Sequence, residues 1–194
     1  MGAVKAPGLR LYSIGHSTRS IVDFMALLGA HEIARVIDVR RYPVSRRHPH
    51  FARGRLEMDL REIGIEYRHE IDLGGHREPA LESKNGALRN AVFRGYADHM
   101  ATPEFEEALK RLVRDAARAP TAFMCAEASV ADCHRRLISD ALVARGARVT
   151  HILAAGTSAA HVIDRAARVL PDGRVISPAT EPPRGGQLHL DMGE

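Results

Sequence analysis

Five short apolar runs, separated by stretches with helical spacing, constrain this chain more than any other feature. They are Leu11 to Ile14, Val36 to Val39, Ile65 to His69, Thr121 to Cys125 and Val149 to Leu153. Short β-branched and aromatic runs alternating with helical periodicity are the rhythm of βα units. The expected fold is therefore α/β: a mostly parallel, open sheet of about five strands, flanked by helices and doubly wound. After the first run, Ser20 and Asp23 read as a capping box. Ile21, Phe24, Leu27 and Leu28 line one helical face, and Gly29 offers a left-handed stop.

Thr102 followed by Pro103 marks the start of the strongest helix. Phe105, Ala108, Leu109, Leu112, Val113 and Ala116 recur on one side of it. Glu104, Glu106 and Glu107 precede Arg111, Arg114 and Arg118 in the sense the helix dipole favours. A third helix is expected near Cys133 to Arg145, burying Leu137, Ile138, Ala141 and Leu142 and stopping at Gly146. From Leu73 to Asn90 the chain has glycines and a proline but little periodicity, which reads as a long surface loop.

At 194 residues and 45% apolar content, one core is affordable, so residues 1–178 are expected to form one domain. The chain becomes rich in Pro and Gly after Pro171, and residues 179–194 read as a flexible tail. No run approaches the length of a membrane span, and Met1 to Arg10 lacks the apolar stretch of a secretory signal. The expectation is a cytoplasmic protein without a membrane partner. Its two cysteines, Cys125 and Cys133, are too few for a disulfide framework and are expected to be thiols.

The net charge of +4 only mildly favours anionic partners, but its distribution is uneven. Between Arg35 and Arg55 lie Arg40, Arg41, Arg46, Arg47 and Arg53, with Asp38 as the single acid and His48 and His50 added. Such a segment is either a solvated basic loop or a phosphate-binding surface.

Ligands of open parallel sheets bind beyond the carboxyl ends of the strands. In this chain polar residues collect at those ends: Gly15, His16, Ser17 and Arg19 after the first run, Asp38, Arg40 and Arg41 after the second, Tyr67 and His69 at the third, Cys125 and Glu127 at the fourth. The sharpest local feature is Cys125-Ala126-Glu127 followed by Asp132-Cys133-His134-Arg135. If Asp132 caps the third helix, Cys133 occupies its first turn, where free N–H groups stabilise a thiolate. Cys125 or Cys133 could then be a nucleophile, with His134 or His16 as base and Glu127 or Asp38 orienting it. Alternatively both cysteines are buried fillers. Asp38 beside Arg40 reads as an acid, a base or, most simply, an ion-pair partner.

Two chemistries fit the spacing poorly. A phosphatase-type thiol loop needs its Arg a few residues beyond the nucleophile, and Arg135 is too far from Cys125 and too near Cys133. A metal held by His16, His69, Cys125, Cys133 or His134 matches no compact zinc pattern, and adjacent Cys133 and His134 would rarely both reach one ion. Neither a metal nor another cofactor is expected.

The motifs together resemble the family catalogued as domain of unknown function 488, over about Leu11 to Pro178. The resemblance runs through Ser-Ile-Gly-His-Ser at 13 to 17, Asp-Val-Arg at 38 to 40, Pro43, Ser45, Arg46 and Phe51, Gly64-Ile65-Glu66-Tyr67 and Leu73-Gly74-Gly75. It continues through Phe93-Arg94-Gly95-Tyr96, Cys125-Ala126-Glu127, Cys133-His134-Arg135 and Val149-Thr150-His151-Ile152. Members typically carry a proline between the two cysteine motifs, where this chain has Val130. The resemblance implies a compact α/β fold with these motifs around one cleft, adding Ser45, Arg94 and Tyr96 to the candidate binding residues, and implies no reaction. Separately, Gln187 to Met192 looks like the short peptides with which bacterial replication and repair proteins dock on the sliding clamp, or is an idle tail.

Two functional readings follow. The first is an enzyme acting on a phosphate-bearing substrate such as a nucleotide or nucleic acid, held by Arg19, Arg40, Arg46 and Arg135 and worked on by Cys125, Cys133, His16, His134, Glu127 or Asp38. The second is a non-catalytic nucleic-acid-binding protein linked to DNA metabolism, using the basic segment with Tyr42 and Phe51 as stacking groups.

Overall fold

A computed structural model describes residues 4–179. Eight strands and five helices follow in the order β1 (Arg10–Gly15), α1 (Ile21–Ala30), β2 (Arg35–Asp38), α2 (Arg53–Glu62), β3 (Glu66–His69), α3 (Ala91–His99), α4 (Pro103–Ala116), β4 (Thr121–Cys125), α5 (Arg135–Val143), β5 (Arg148–Ala154), β6 (Thr157–Ala160), β7 (Arg168–Val169) and β8 (Val175–Ile176). Single turns of 3-10 helix lie at Pro49–Phe51 and Ile71–Leu73. All five apolar runs are strands of one sheet, ordered β3-β2-β4-β1-β5-β6. The first five strands are mutually parallel, and β6 turns back against β5 as an antiparallel edge.

The sheet is covered on both faces, because alternate residues of its central strands enter two separate cores. Ile14, Val36, Met124 and Ile152 pack with Phe24 and Leu28 of α1 and Leu56 and Leu60 of α2. Leu11, Ile37, Phe123 and Val149 pack with α3, α4 and α5 through Tyr96, Leu109, Leu112, Ile138 and Leu142. The fold is thus a doubly wound α/β sheet. The connection leaving β1 runs to α1 on one face, whereas that leaving β4, its neighbour, runs to α5 on the other. Such a divergence opens a crevice at the carboxyl ends of adjacent strands. Among the described residues no helix is long and apolar enough to cross a membrane.

The local signals hold for the strongest elements. Thr102 caps α4, its hydroxyl accepting from the Phe105 N–H at 3.3 Å, and every apolar residue expected on its inner face is buried. Ser20 caps α1 by accepting from the Asp23 N–H at 3.0 Å. The Asp23 carboxylate accepts from the Ser20 hydroxyl at 2.7 Å. Gly146, after α5, has a φ of +94° as a helix stop requires.

Three details differ. Gly29 remains within α1, and the left-handed residue is Glu32, with φ +52°. Asp132 does not cap α5; His134 occupies that position in a helical conformation, so Cys133 lies just before the helix instead of in its first turn. The stretch after Pro171 is not all tail, since β8 pairs with β7 and buries Val175, and the Ser177 N–H donates to Asn85 at 2.8 Å. Residues 180–194, with the clamp-like Gln187 to Met192, lie outside the described residues.

Two helices had no clear sequence signal. Within α2 only Leu56 and Leu60 supply a buried apolar stripe, amid six charged residues, and α3 carries Gly95 in its middle. Gly95 is there because a Cβ would lie 2.1 Å from the Arg77 carbonyl oxygen, so the loop from Leu73 to Asn90 packs directly on α3. That loop is irregular, as expected, but pinned: the Asp98 carboxylate accepts from the Ala80 N–H, the Ser83 hydroxyl and the Asn85 amide at 2.7–2.9 Å.

Candidate functional site

The carboxyl ends of β1 and β4 are joined beyond their paired residues. His16 and Ser17 donate their N–H groups to the carbonyls of Cys125 and Ala126 at 2.9 and 2.8 Å. This close approach requires Gly15, since a Cβ there would lie 1.9 Å from the Glu127 carbonyl oxygen. Arg19 closes the neighbouring gap by donating to the carbonyls of Gly15 and Leu153, tying β1 to β5. A cleft of about 700 Å³ opens above these ends, lined by residues from the turn after β1, the end of β4, the loops after β2 and Leu73, α3 and the turn before α5.

Ten of the residues expected at the site line that cleft: His16, Ser17, Arg40, Ser45, Arg46, Tyr96, Cys125, Glu127, Cys133 and His134. The other six do not line it. Gly15 and Arg19 hold the strand ends. Asp38 has no exposed surface and accepts from Arg40 and Tyr67. Arg94 donates weakly to the Leu88 carbonyl at 3.4 Å. Arg135 is 1% exposed, and its guanidinium is spent on the Ser13 hydroxyl, the Glu127 carbonyl and the Cys133 sulfur.

Two buried clusters form the floor. In the first, Arg40 Nε donates to both Asp38 oxygens at 2.9 and 3.1 Å, and Nη1 donates to the Phe51 carbonyl at 2.9 Å. Burial disfavours the Arg40 charge, but the Asp38 carboxylate more than offsets it. Burial and the same carboxylate push the Tyr67 phenol well above its ordinary range. His16 stacks on Phe51 at 4.2 Å, donates from Nδ1 to the Ser17 carbonyl and turns Nε2 toward Arg40 at 3.4 Å. Burial lowers the His16 pKa to about 4, Arg40 adding to the effect, so His16 is a neutral imidazole at pH 7.

The second cluster is made of Cys125, Cys133 and His134. Cys125 ends β4, while the Cys133 N–H closes a turn on the Val130 carbonyl at 3.1 Å. The proline that members of the resembled family carry between the two cysteine motifs would keep that carbonyl, so the turn forms with Val130 as well. His134 Nδ1 lies 3.9 Å from the Cys125 sulfur and 3.8 Å from the Cys133 sulfur. Its Nε2 donates to the Val39 carbonyl at 2.9 Å, and Tyr96 packs against its ring at 5.0 Å. Although adjacent in sequence, Cys133 and His134 therefore face one point. The hydrogen bond between the two sulfurs lowers Cys133, helped by His134 and Arg135 against burial. The same bond, together with burial, raises Cys125.

Around the rim stand Arg41, Arg46, Arg47, His48 and His76, facing the acids Glu127 and Asp132. Among the described residues, Arg41, Arg46 and Arg47 take part in no ion pair. Arg46 and Arg47, with Arg41 held only by a long 3.4 Å bond to the Tyr42 hydroxyl, face the opening, whereas Arg19, Arg40 and Arg135 are engaged in holding the fold. The basic composition of the segment signalled Arg41 and Arg47; nothing in the sequence singled out His76.

A buried chain that the sequence did not suggest lies on the other side of β1. His151 Nε2 is 3.0 Å from His161 Nδ1, and His161 Nε2 is 2.8 Å from the Asp140 carboxylate. Burial lowers the His151 pKa to about 4. The available signal was Asp140, a carboxylate set among the apolar positions of α5.

Fold and site together define a doubly wound α/β protein with a cationic, thiol-floored cleft at its strand ends. The chain belongs to the domain of unknown function DUF488 family, whose sequence model matches residues 20–142, from the cap of α1 to the end of α5. No curated protein and no solved structure matches the chain.

Proposed function

We propose that this protein is an enzyme acting on a phosphate-bearing substrate, a nucleotide or a nucleic-acid strand, in a reducing cytoplasm. The observation that carries the reading is one opening shared by the unpaired guanidiniums of Arg41, Arg46 and Arg47 and the cluster of Cys125, Cys133 and His134. Guanidiniums favour the bidentate oxygens of phosphate. A cleft of about 700 Å³ is within the size range of small-molecule sites. The sulfur and imidazole groups supply the reactive floor, and His16 and Arg40 shape the wall beside it.

The test is calorimetric titration with nucleoside phosphates and short oligonucleotides over a salt series, followed by turnover assays on whatever binds. Binding is expected to weaken with salt, and to fall about tenfold for Arg46→Ala and again for Arg47→Ala. His134→Gln should abolish turnover and leave binding in place. Absence of binding by any phosphate compound, or Arg variants that bind like the parent, would refute the reading.

A second reading has its own observation. Tyr42 is 65% exposed at the rim with the Arg41 guanidinium 5.8 Å from its ring centre, a platform on which a single-stranded base could stack. A purely nucleic-acid-binding protein would lose affinity in Tyr42→Ala, show no turnover, and be indifferent to substitution of both cysteines.

A further inference from the structure

We propose that Cys125, Cys133 and His134 form a binding site for one zinc-class divalent ion, held by the two sulfurs and Nδ1, with a fourth position open to the cleft. The proposal does not depend on the phosphate reading. The three donor atoms already lie within 4.8 Å of one another, and Nδ1 is 3.9 and 3.8 Å from the sulfurs. A tetrahedral zinc ion with ordinary bond lengths separates sulfur from nitrogen by about 3.5 Å, so each sulfur–nitrogen pair needs only close by a few tenths of an ångström.

Three further features point the same way. The Val39 carbonyl takes the Nε2 proton of His134 at 2.9 Å, which in a neutral ring leaves the Nδ1 lone pair directed at the sulfurs. This is the outer-shell arrangement that fixes the tautomer of metal-bound histidines. Gly75 keeps the approach clear, since a Cβ there would sit 2.9 Å from Nδ1. Arg135 Nε donates to the Cys133 sulfur at 3.3 Å, giving that ligand a donor of its own. Two thiolates neutralise a divalent ion, and all three residues line the cleft, so water or a substrate oxygen can complete the tetrahedron.

Spacing in the chain hid the site, because the ligands are brought together by a strand end and the turn before a helix rather than by one compact loop. The experiment is titration of the reduced full-length chain with Co²⁺, followed by displacement with Zn²⁺. One equivalent is expected, with a thiolate-to-cobalt charge-transfer band and the intense d–d absorption of a tetrahedral site. Cys125→Ser, Cys133→Ser and His134→Gln should each weaken binding by about a hundredfold or more. Zn²⁺ should also shield both thiols from iodoacetamide until a chelator removes it. An octahedral spectrum without charge transfer, or affinity unchanged in the Cys125→Ser/Cys133→Ser double variant, overturns the assignment. If a cysteine variant fails to fold, the parent spectrum, which counts the thiolates directly, decides the matter.

Discussion

Asp38 and Arg40 sit two residues apart at the end of β2, both turned into the protein, and the guanidinium is 2.5 Å from the carboxylate at its closest approach. The pair is 0% and 5% exposed, so removal of Arg40 strands the Asp38 charge where water cannot reach it. Arg40→Met is expected to cost about 3–5 kcal/mol in urea-denaturation experiments, a large part of the stability of a domain this size. The double variant Arg40→Met/Asp38→Leu should recover much of that loss. Equal losses in the single and double variants would mean that the pair is not the source.

Two glycines should respond in opposite directions to the same substitution. At Gly15 a Cβ collides with backbone of the loop after β4, so Gly15→Ala should destabilise by at least about 2 kcal/mol and loosen the junction that carries His16. Gly29 is helical and has open space around it, so Gly29→Ala should stabilise by about 0.5–1 kcal/mol. Thermal unfolding of the two variants, measured side by side, checks both signs.

His16 and His151 each drop from an ordinary pKa of 6.5 to about 4 on folding. A histidine lowered in the native state binds its proton preferentially when unfolded, so its neutral form stabilises the fold above pH 6.5. That contribution is lost as pH falls toward 4. Stability should decline by on the order of 2 kcal/mol per histidine between pH 7 and pH 5. His151→Gln should flatten the slope, and a profile already flat in the parent would contradict the buried neutral state.

Val130 lends its carbonyl to the Cys133 turn, while its own N–H makes no backbone hydrogen bond among the described residues. Proline at this position sacrifices no hydrogen bond and restricts the unfolded chain. Val130→Pro is therefore expected to raise stability by about 0.4–1 kcal/mol with the thiol cluster intact. Denaturant midpoints and the rate of thiol alkylation, taken together, test both halves of the statement.

The sheet was legible because its central parallel strands are short apolar runs, with Ile65 and Tyr67 marking the more polar β3, and α4 because its inner face is unbroken from Phe105 to Ala116. The helix α2 was not, since its only buried apolar residues are Leu56 and Leu60 and most of the rest of it is charged. Convergence of His16, Arg40 and Cys125 on one cleft could be read from their places at or just beyond strand ends, and Cys133 joins them from the turn before α5. What each guanidinium does there could not. Arg19, Arg135 and Arg46 look alike as letters, yet the first two are consumed by carbonyls and the third faces the opening. Only the fold decides which donors find backbone partners, and that in turn depends on contacts between residues more than a hundred positions apart, such as Arg135 with Ser13.

The strand order has a bearing on how the molecule comes into being on the ribosome. β1 and β2 never touch as partners; β4, made from the last third of the described chain, slots between them. Until Cys125 has emerged, the earlier strands have a vacancy at their centre and the basic segment has nothing to close against. The pocket is thus assembled late and all at once, when the strand that carries the first thiol enters the gap.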